Sequence, residues 1–244
     1  MEIDPTKPEG QQRQFKVEDL FKAAESGDAS TFNSLPLEQL SKALSLRNED
    51  GRSLLHVSTS SAHPEVVRIL ADADSSGSVI NCKDEEGWAP IHSAASIGNI
   101  DIMETLLSRG ADVNLKNDGG RTAIHYAGSK GWLRIAELLL SHGAKINAQD
   151  KVGCTALHRA ASTGHSQLCE LLIEEGADVD ALDKAGQTPL MNAVICEHKE
   201  VALLLIRHGA DVDVEDKEGY TVLGRASNEL RNILIDAATA MLEG

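Results

Sequence analysis

The chain has 244 residues, of which 41% are hydrophobic and only 3% aromatic, so we expect a core of small aliphatic side chains. A formal net charge of -15 argues against nucleic acid or an anionic membrane as partner, because both are negatively charged. The four cysteines form no CxxC pair and no apolar run is long enough to span a membrane. These features predict reduced thiols and neither a zinc site nor a membrane segment.

The first predicted elements lie at the N-terminus. Residues 1–14 contain two prolines, a glycine and three glutamines with little apolar content, which predicts a disordered tail. The run VEDLFKAAE that begins at Val17 predicts a helix. Residues 15–47 are therefore expected to form an N-terminal capping unit with a polar outer face.

Residues 48–215 contain an internal repeat. Glycines that stand two places before a Thr, Ser or equivalent residue are separated by 36 residues once and then by 33 residues four times. Gly-Ala pairs and a histidine that follows an aliphatic residue share the period of 33. Five central repeats over 48–215 are predicted, with the three extra residues in a longer surface turn at 71–78.

Each repeat predicts two short helices. Thr122, Thr155, Thr188 and Thr221 are candidate N-caps, and Pro90 and Pro189 suit the first helical turn. Gly98, Gly131 and Gly164 are expected to end the first helix. A β-turn finger is predicted around Asp84, Asn117, Asp150, Asp183 and Asp216. Residues 216–244 lack a Gly-Ala close and predict an amphipathic C-terminal capping unit.

The repeats resemble a known family. The segments GWAPIHSAASIGN (87–99), GRTAIHYAGSKGW (120–132) and GCTALHRAASTGH (153–165) are similar to the G-x-T-P-L-H-x-A-A-x-x-G-H run of ankyrin repeats. This resemblance implies an all-α solenoid of about seven stacked helix-turn-helix units with β-turn fingers. It also implies a non-catalytic protein-binding function, in which finger tips and the exposed face of the first helices line one concave surface.

The positions that vary between units supply the predicted partner-binding residues. Trp, Tyr and Arg rank high among them because these types dominate binding energy at interfaces. An alternative for Trp88 is that it only packs against its neighbouring finger. The predicted binding residues are Asp50, Arg52, Glu85, Glu86, Trp88, Arg121, Tyr126, Lys130 and Arg159.

The histidines of the repeat are expected to be structural. A spacing of 33 residues sends His92, His125 and His158 to successive units, so they form a ladder and not a cluster. The sequence contains no G-x-S-x-G, P-loop or HExxH motif. We therefore expect no catalytic residue, no metal and no cofactor, and an enzyme with a site in the capping units is the weakest alternative.

A narrower resemblance concerns the variable runs DGRS (50–53), DEEGWAP (84–90) and HYAGSK (125–130). They are similar to those of the gankyrin group, chaperones that assemble the proteasome's regulatory particle. This implies that the concave face binds the C-terminal helical domain of a proteasomal base ATPase subunit. It further implies a monomer when free, in cytoplasm and nucleus. An inhibitor or scaffold of a kinase signalling complex and an acidic binder of basic proteins remain alternatives.

Overall fold

The computed structural model describes residues 16–242, so the predicted disordered tail at 1–14 lies outside the described residues. Within 16–242 the chain forms fifteen α-helices and no β-strand. In chain order the helices are α1 (Val17–Ser26), α2 (Ala29–Asn33), α3 (Leu37–Ala43), α4 (Leu54–Ser60), α5 (Pro64–Ala73), α6 (Pro90–Ile97), α7 (Ile100–Ser108), α8 (Ala123–Lys130), α9 (Leu133–Ser141), α10 (Ala156–Thr163), α11 (Ser166–Glu174), α12 (Pro189–Ile195), α13 (Lys199–Arg207), α14 (Val222–Arg225) and α15 (Asn228–Leu242).

The helix ends confirm the predicted start and stop residues. The Thr155 side chain accepts a hydrogen bond from the His158 backbone N–H at the start of α10, and Pro90 occupies the first turn of α6. Gly98 and Gly164 end α6 and α10 with positive φ angles of 76° and 78°. Glycine adopts this left-handed backbone without steric cost, which lets the chain reverse into the second helix of the unit.

The helices stack in two layers, and each helix contacts the equivalent helix of the next unit. The first helices pack in the order α1, α4, α6, α8, α10, α12 and α14. The second helices pack in the order α5, α7, α9, α11, α13 and α15, with α2 and α3 both against α5. Contacts are local along the chain, as in a solenoid. The predicted all-α solenoid of stacked helical hairpins is confirmed.

The core between the layers is aliphatic and rich in alanine. Ala94, Ala95, Ala127 and Ala160 are fully buried along the first helices, and Leu106 and Leu139 are fully buried on the second helices. Small side chains let the first helices approach closely. At Gly128 in α8, a Cβ atom would lie 2.7 Å from the backbone oxygen of Ala156 in α10. The low aromatic content therefore reflects tight spacing of the first-helix layer.

Two regions differ from the repeat. The second helix of the first unit is divided, because Asp28 caps α2 and Pro36 stands at the start of α3. The longer turn is shorter than the predicted 71–78, since α5 continues to Ala73. The Asp74 carboxylate then organises the turn by accepting hydrogen bonds from the backbone N–H groups of Ser78, Val79 and Ile80.

Candidate protein-binding surface

Each finger is a short loop closed by the side chain of its first residue. These first residues are Asn48, Asp84, Asn117, Asp150, Asp183 and Asp216, and the Oδ1 atom of each accepts the backbone N–H four residues later. In the finger of Asp84 the acceptor distances are 3.1 Å to Glu86 N and 2.8 Å to Trp88 N. The backbone nitrogen of Asp84 in turn donates to the Trp88 carbonyl oxygen at 2.8 Å. The loops therefore hold their tips in a fixed conformation.

Backbone hydrogen bonds join each finger to the next. Glu85 N donates to Asp50 O at 3.2 Å, and Lys151 N donates to Gly119 O at 2.9 Å. The bonds that continue the series are Asp118 N to Glu86 O, Lys184 N to Val152 O and Lys217 N to Ala185 O. The six fingers form one continuous row along the solenoid.

Buried histidines tie the fingers to the first helices. His125 Nδ1 accepts the Thr122 backbone N–H at 3.1 Å, and Nε2 donates to the Cys154 carbonyl oxygen at 3.0 Å. His56 and His158 repeat this pattern toward Trp88 and Gln187. Burial lowers the pKa of these rings, and that of His125 to about 4, so they are neutral at pH 7. This is the structural role predicted from their spacing.

Five of the nine predicted binding residues line one groove between the first two of these fingers. They are Asp50, Arg52, Glu85, Glu86 and Trp88, and Asp84 and Ser93 complete a groove of about 450 Å³. We call it the acidic groove, because four carboxylates face a single guanidinium.

The guanidinium of Arg52 is anchored to α4. Its Nη2 atom donates to the His56 carbonyl oxygen at 3.2 Å and to Ser60 Oγ at 2.6 Å. Among the described residues, none of the four carboxylates that line the groove forms an ion pair with a cationic side chain. The groove therefore suits a cationic side chain of a partner, which could also contact the indole face of Trp88.

Trp88 and Tyr126 stack across two units. Their ring centroids are 4.6 Å apart at an interplanar angle of 44°, and His92 lies edge-on to both rings at 6.1 Å. Trp88 therefore does pack within the protein, as the alternative interpretation expected, because its ring contacts that of Tyr126. Trp88 also lines the acidic groove. The placement of Tyr126 on the exposed face was wrong: it is only 8% exposed, because its hydroxyl accepts a hydrogen bond from Asn117 Nδ2 at 2.7 Å.

The other predicted binding residues lie further along the solenoid. Arg121 and Arg159 both pair with the buried carboxylate of Asp150, and the Arg159 side chain is 23% exposed. Lys130 is exposed at the end of α8 and does not line the acidic groove. Sequence reasoning missed the pairing of Arg159 with Asp150. A signal was available, because the same Asp-x8-Arg spacing recurs at Asp216 and Arg225, which also pair.

The residue after the first residue of each finger is exposed in all six fingers. We call these six residues the finger-tip row. In chain order they are Glu49, Glu85, Asp118, Lys151, Lys184 and Lys217. Three acidic tips are followed by three basic tips, so the row has opposite charge at its two ends. Sequence reasoning named Glu85 of this row but missed the division of charge, which becomes visible once the fingers are aligned by their first residue.

Residues 16–242 offer neither a cluster of metal-ligating side chains nor a helix that could span a membrane. No group of three or more His, Cys, Asp or Glu side chains there is arranged to hold a metal ion. No helix in residues 16–242 has the length and apolarity needed to cross a membrane.

Parts of the chain are similar to known proteins. The chain is 35% identical over 63 residues to the probable 26S proteasome regulatory subunit p28 of Saccharomyces cerevisiae, covering 26% of this chain and 28% of that protein. It is 29% identical over 104 residues to the mitochondrial glutaminase liver isoform of Mus musculus, covering 43% of this chain and 17% of the enzyme. The chain thus spans well under a third of either relative's length.

The family comparison covers most of the solenoid. A model of ankyrin repeats in three copies matches residues 20–117, 109–183 and 168–242. These ranges include every finger and nearly all the stacked helices described above. Ankyrin repeats are a protein-interaction fold, and this chain belongs to the ankyrin-repeat family.

Proposed function

We propose that this protein is a non-catalytic chaperone of proteasome regulatory-particle assembly that binds the C-terminal domain of a base ATPase subunit. The coarser part, a protein-binding module, follows from the ankyrin-repeat family. The specific role, as a chaperone that binds a base ATPase subunit, is supported by the similarity to the yeast proteasome subunit and by the gankyrin-like runs of the sequence.

The observation that carries the proposal is the charge division of the finger-tip row. Acidic tips and the acidic groove lie at one end, and Lys151, Lys184 and Lys217 lie at the other. A matching partner presents basic side chains to the first half and acidic side chains to the second half. Such complementarity fixes the orientation of a complex and speeds its formation. A helical ATPase domain with charges of both signs meets this requirement.

Under this proposal, the predicted residues divide into roles. Asp50, Glu85 and Glu86 receive cationic side chains of the ATPase, and Trp88 forms an aromatic wall of the acidic groove. Arg52 and Lys130 receive carboxylates. Binding of the ATPase domain then obstructs its docking on the proteasome core particle until assembly is ready. We place this activity in the cytoplasm and nucleus, with the free protein a monomer.

The first test is identification of the partner. The tagged protein is captured from cell extract, and proteasome base ATPase subunits are expected among the co-purifying proteins. Capture of a kinase complex without any base subunit would favour the kinase inhibitor or scaffold alternative. Loss of every partner in high salt would favour the acidic binder of basic proteins, because exposed charges are strongly screened.

The second test measures binding to the isolated ATPase domain by calorimetry. Arg52→Glu with Lys130→Glu is expected to weaken binding by about tenfold or more, since two attractive contacts become repulsive. Arg68→Glu with Arg207→Glu reverses the same number of charges on exposed positions of the second helices. This control is expected to bind normally. Helical content by circular dichroism must be unchanged in both proteins, and equal affinity of both would remove Arg52 and Lys130 from the site.

A further inference from the structure

The buried carboxylate of Asp150 is shared by two guanidinium groups. Its Oδ1 atom accepts the backbone N–H groups of Val152 and Cys154, each at 3.0 Å. Its Oδ2 atom pairs with Arg159 Nη2 and lies 3.5 Å from Arg121 Nε. Two positive charges therefore share one carboxylate, which also accepts hydrogen bonds from two backbone N–H groups. Burial alone would raise the pKa of Asp150, but the hydrogen bond and charge of Arg159 lower it, so the carboxylate is ionised at pH 7.

The last unit shows how the equivalent arginine is satisfied when a second carboxylate is present. Arg225 Nε donates to Asp216 Oδ2 at 2.7 Å, and its Nη2 donates to Glu218 Oε2 at 2.8 Å. Glu218 stands two residues after the first residue of its finger. The arginine of this unit thus lies between two side-chain carboxylates.

The second carboxylate is missing around Arg159. The residue two places after Asp150 is Val152, whose side chain cannot accept a hydrogen bond and is 52% exposed. The two arginines also meet the first carboxylate through different atoms: Arg225 Nε donates to Asp216, whereas Arg159 pairs with Asp150 through Nη2, and its Nε is buried without a hydrogen-bond partner among the residues that the structure describes. Such an unpaired buried donor costs free energy until a partner reaches it or the side chain turns toward one.

Access and charge both favour an anion at this place. The Arg121 side chain is 42% exposed. The tip of its own finger is Asp118, but the tips of the finger of Asp150 and of the next finger are Lys151 and Lys184. Guanidinium groups bind planar carboxylates through two parallel hydrogen bonds, a geometry that lysine cannot supply. The site lies where the acidic half of the finger-tip row meets the basic half, and none of its residues lines the acidic groove.

We propose that Arg121 and Arg159 form a binding site for the carboxylate of a Glu or Asp side chain of a protein partner, which takes the place that Glu218 occupies beside Arg225. The proposal rests on the protein-binding part of the proposed function, but on no particular partner. It assigns these two arginines a specificity role: they select an acidic residue at one position of the bound chain.

The test uses a defined peptide, so its outcome does not depend on the ATPase. Acetyl-Gly-Ser-Glu-Ser-Gly-amide is titrated into the full chain labelled with 15N at arginine, and the Nε–Hε signals are followed by NMR. A saturable shift of the Arg121 and Arg159 signals is expected. The matched peptide with Gln in place of Glu is expected to leave them unchanged, since it lacks the charge.

Variants at an exposed position provide the second half of the test. Val152→Glu supplies the missing carboxylate within the chain and is expected to reduce the affinity for the Glu peptide by about tenfold, the equivalent of one charge-assisted hydrogen bond. Val152→Gln has the same size without the charge and is expected to bind the peptide normally. Circular dichroism verifies that both variants are folded.

Two results would overturn the proposal. One is equal shifts with the Glu and Gln peptides, or none with either. The other is a shift only with a Gln peptide that ends in a free carboxylate, which would assign the site to a chain terminus and not to an acidic side chain. Either result leaves the ATPase-binding measurements unaffected, so the two proposals fail separately.

Discussion

The Nε2 atom of His125 lies 3.0 Å from the carbonyl oxygen of Cys154, a residue 29 positions later in the chain. Through its two ring nitrogens, one imidazole joins the N-cap of its own first helix to the finger of the next unit. Both bonds require the neutral ring with the proton on Nε2. Protonation of the ring would convert the acceptor Nδ1 into a donor that faces a backbone N–H.

Stability is therefore expected to fall in mildly acidic solution. The pKa of histidine is about 6.5 in an unfolded chain and about 4 for folded His125, so the unfolded state binds the proton first. The stabilisation is complete above about pH 6.5 and is lost as the pH falls toward about 4. His125 alone should lower the free energy of unfolding by roughly 1.4 kcal/mol per pH unit in that range.

Urea unfolding at pH 7.5, 6.0 and 5.0 measures this dependence. A His125→Asn variant is expected to be less stable at pH 7.5 but to show a weaker decline with pH, because one titrating ring is gone. An identical decline in both proteins would mean that His125 does not carry the linkage.

A second prediction concerns a side-chain ladder on the closing run of each unit. Asn114 Nδ2 donates to the Gly143 carbonyl oxygen at 3.0 Å, and its Oδ1 accepts Lys145 N at 2.8 Å. Asn81 and Asn147 make the same pair of bonds. The next residue of the series is Asp180, which accepts Asp211 N at 2.9 Å but, as a carboxylate, cannot donate to Gly209. Its pKa is raised by burial and by the nearby charges of Asp211 and Asp178.

Asp180→Asn is expected to raise the free energy of unfolding at pH 7 by about 1 kcal/mol, because it restores the missing donor and removes a half-buried charge. Asp178→Asn is the matched control, since it removes a neighbouring charge without adding that bond. Chemical denaturation of the three proteins decides the matter. An equal gain in both variants would attribute the effect to charge repulsion alone.

A third prediction follows from backbone conformation. Ala62 has a φ angle of 60° at the position where Gly98 and Gly131 end the first helices of later units. The left-handed conformation costs a residue with a Cβ roughly 1–2 kcal/mol. Ala62→Gly should therefore stabilise the protein by about 1 kcal/mol, partly offset by the greater freedom of glycine in the unfolded chain.

Thermal unfolding compares this variant with Ala237→Gly, which places the same substitution inside α15. There the expected effect is a loss of about 1 kcal/mol, because glycine is a poor helix former. Destabilisation by both substitutions would contradict the assignment of strain to Ala62.

A fourth prediction concerns the contact between α8 and α10. A Cβ added at Gly128 would lie 2.7 Å from the Ala156 backbone oxygen, an atom that cannot move without displacing a helix. Gly128→Ala is expected to cost about 1–3 kcal/mol despite the higher helix propensity of alanine. Gly224→Ala, where the nearest atom is a ring carbon of Tyr220 at an ordinary contact distance of 3.5 Å, should not lower stability by more than about 0.5 kcal/mol. Melting temperatures test both, and a stabilised Gly128→Ala protein would be inconsistent with close packing here.

The repeat and its helix ends could be predicted because they depend on residues close together in sequence. Thr155 before the helix, Pro90 in its first turn and Gly164 at its end each act within a few positions. The grouping of Asp50, Arg52 and Trp88 was also accessible, since fingers one period apart become neighbours in a stack.

The parts that sequence reasoning missed depend on which way a side chain turns. Tyr126 and Arg159 occupy the same position in successive units. The Tyr126 hydroxyl accepts a hydrogen bond from the amide of Asn117, the first residue of its finger. Arg159 instead pairs with the carboxylate of Asp150, the first residue of its own finger. The absence of a second carboxylate beside Arg159 becomes apparent only by comparison with Arg225, which pairs with both Asp216 and Glu218. Patterns fix the position of a residue along the solenoid, but its orientation follows from its local partner.

The bond from Glu85 N to Asp50 O spans the one unit that is three residues longer than the others, and the bond is nevertheless intact. The additional length is taken up after α5, in the turn that Asp74 organises, so the spacing between fingers is preserved. Insertions at that type of turn leave the order of charges along the binding surface unchanged, whereas an insertion within a finger would displace every later tip relative to the earlier ones. Families built on this plan can therefore vary in length at the second-helix turns while keeping the same partner.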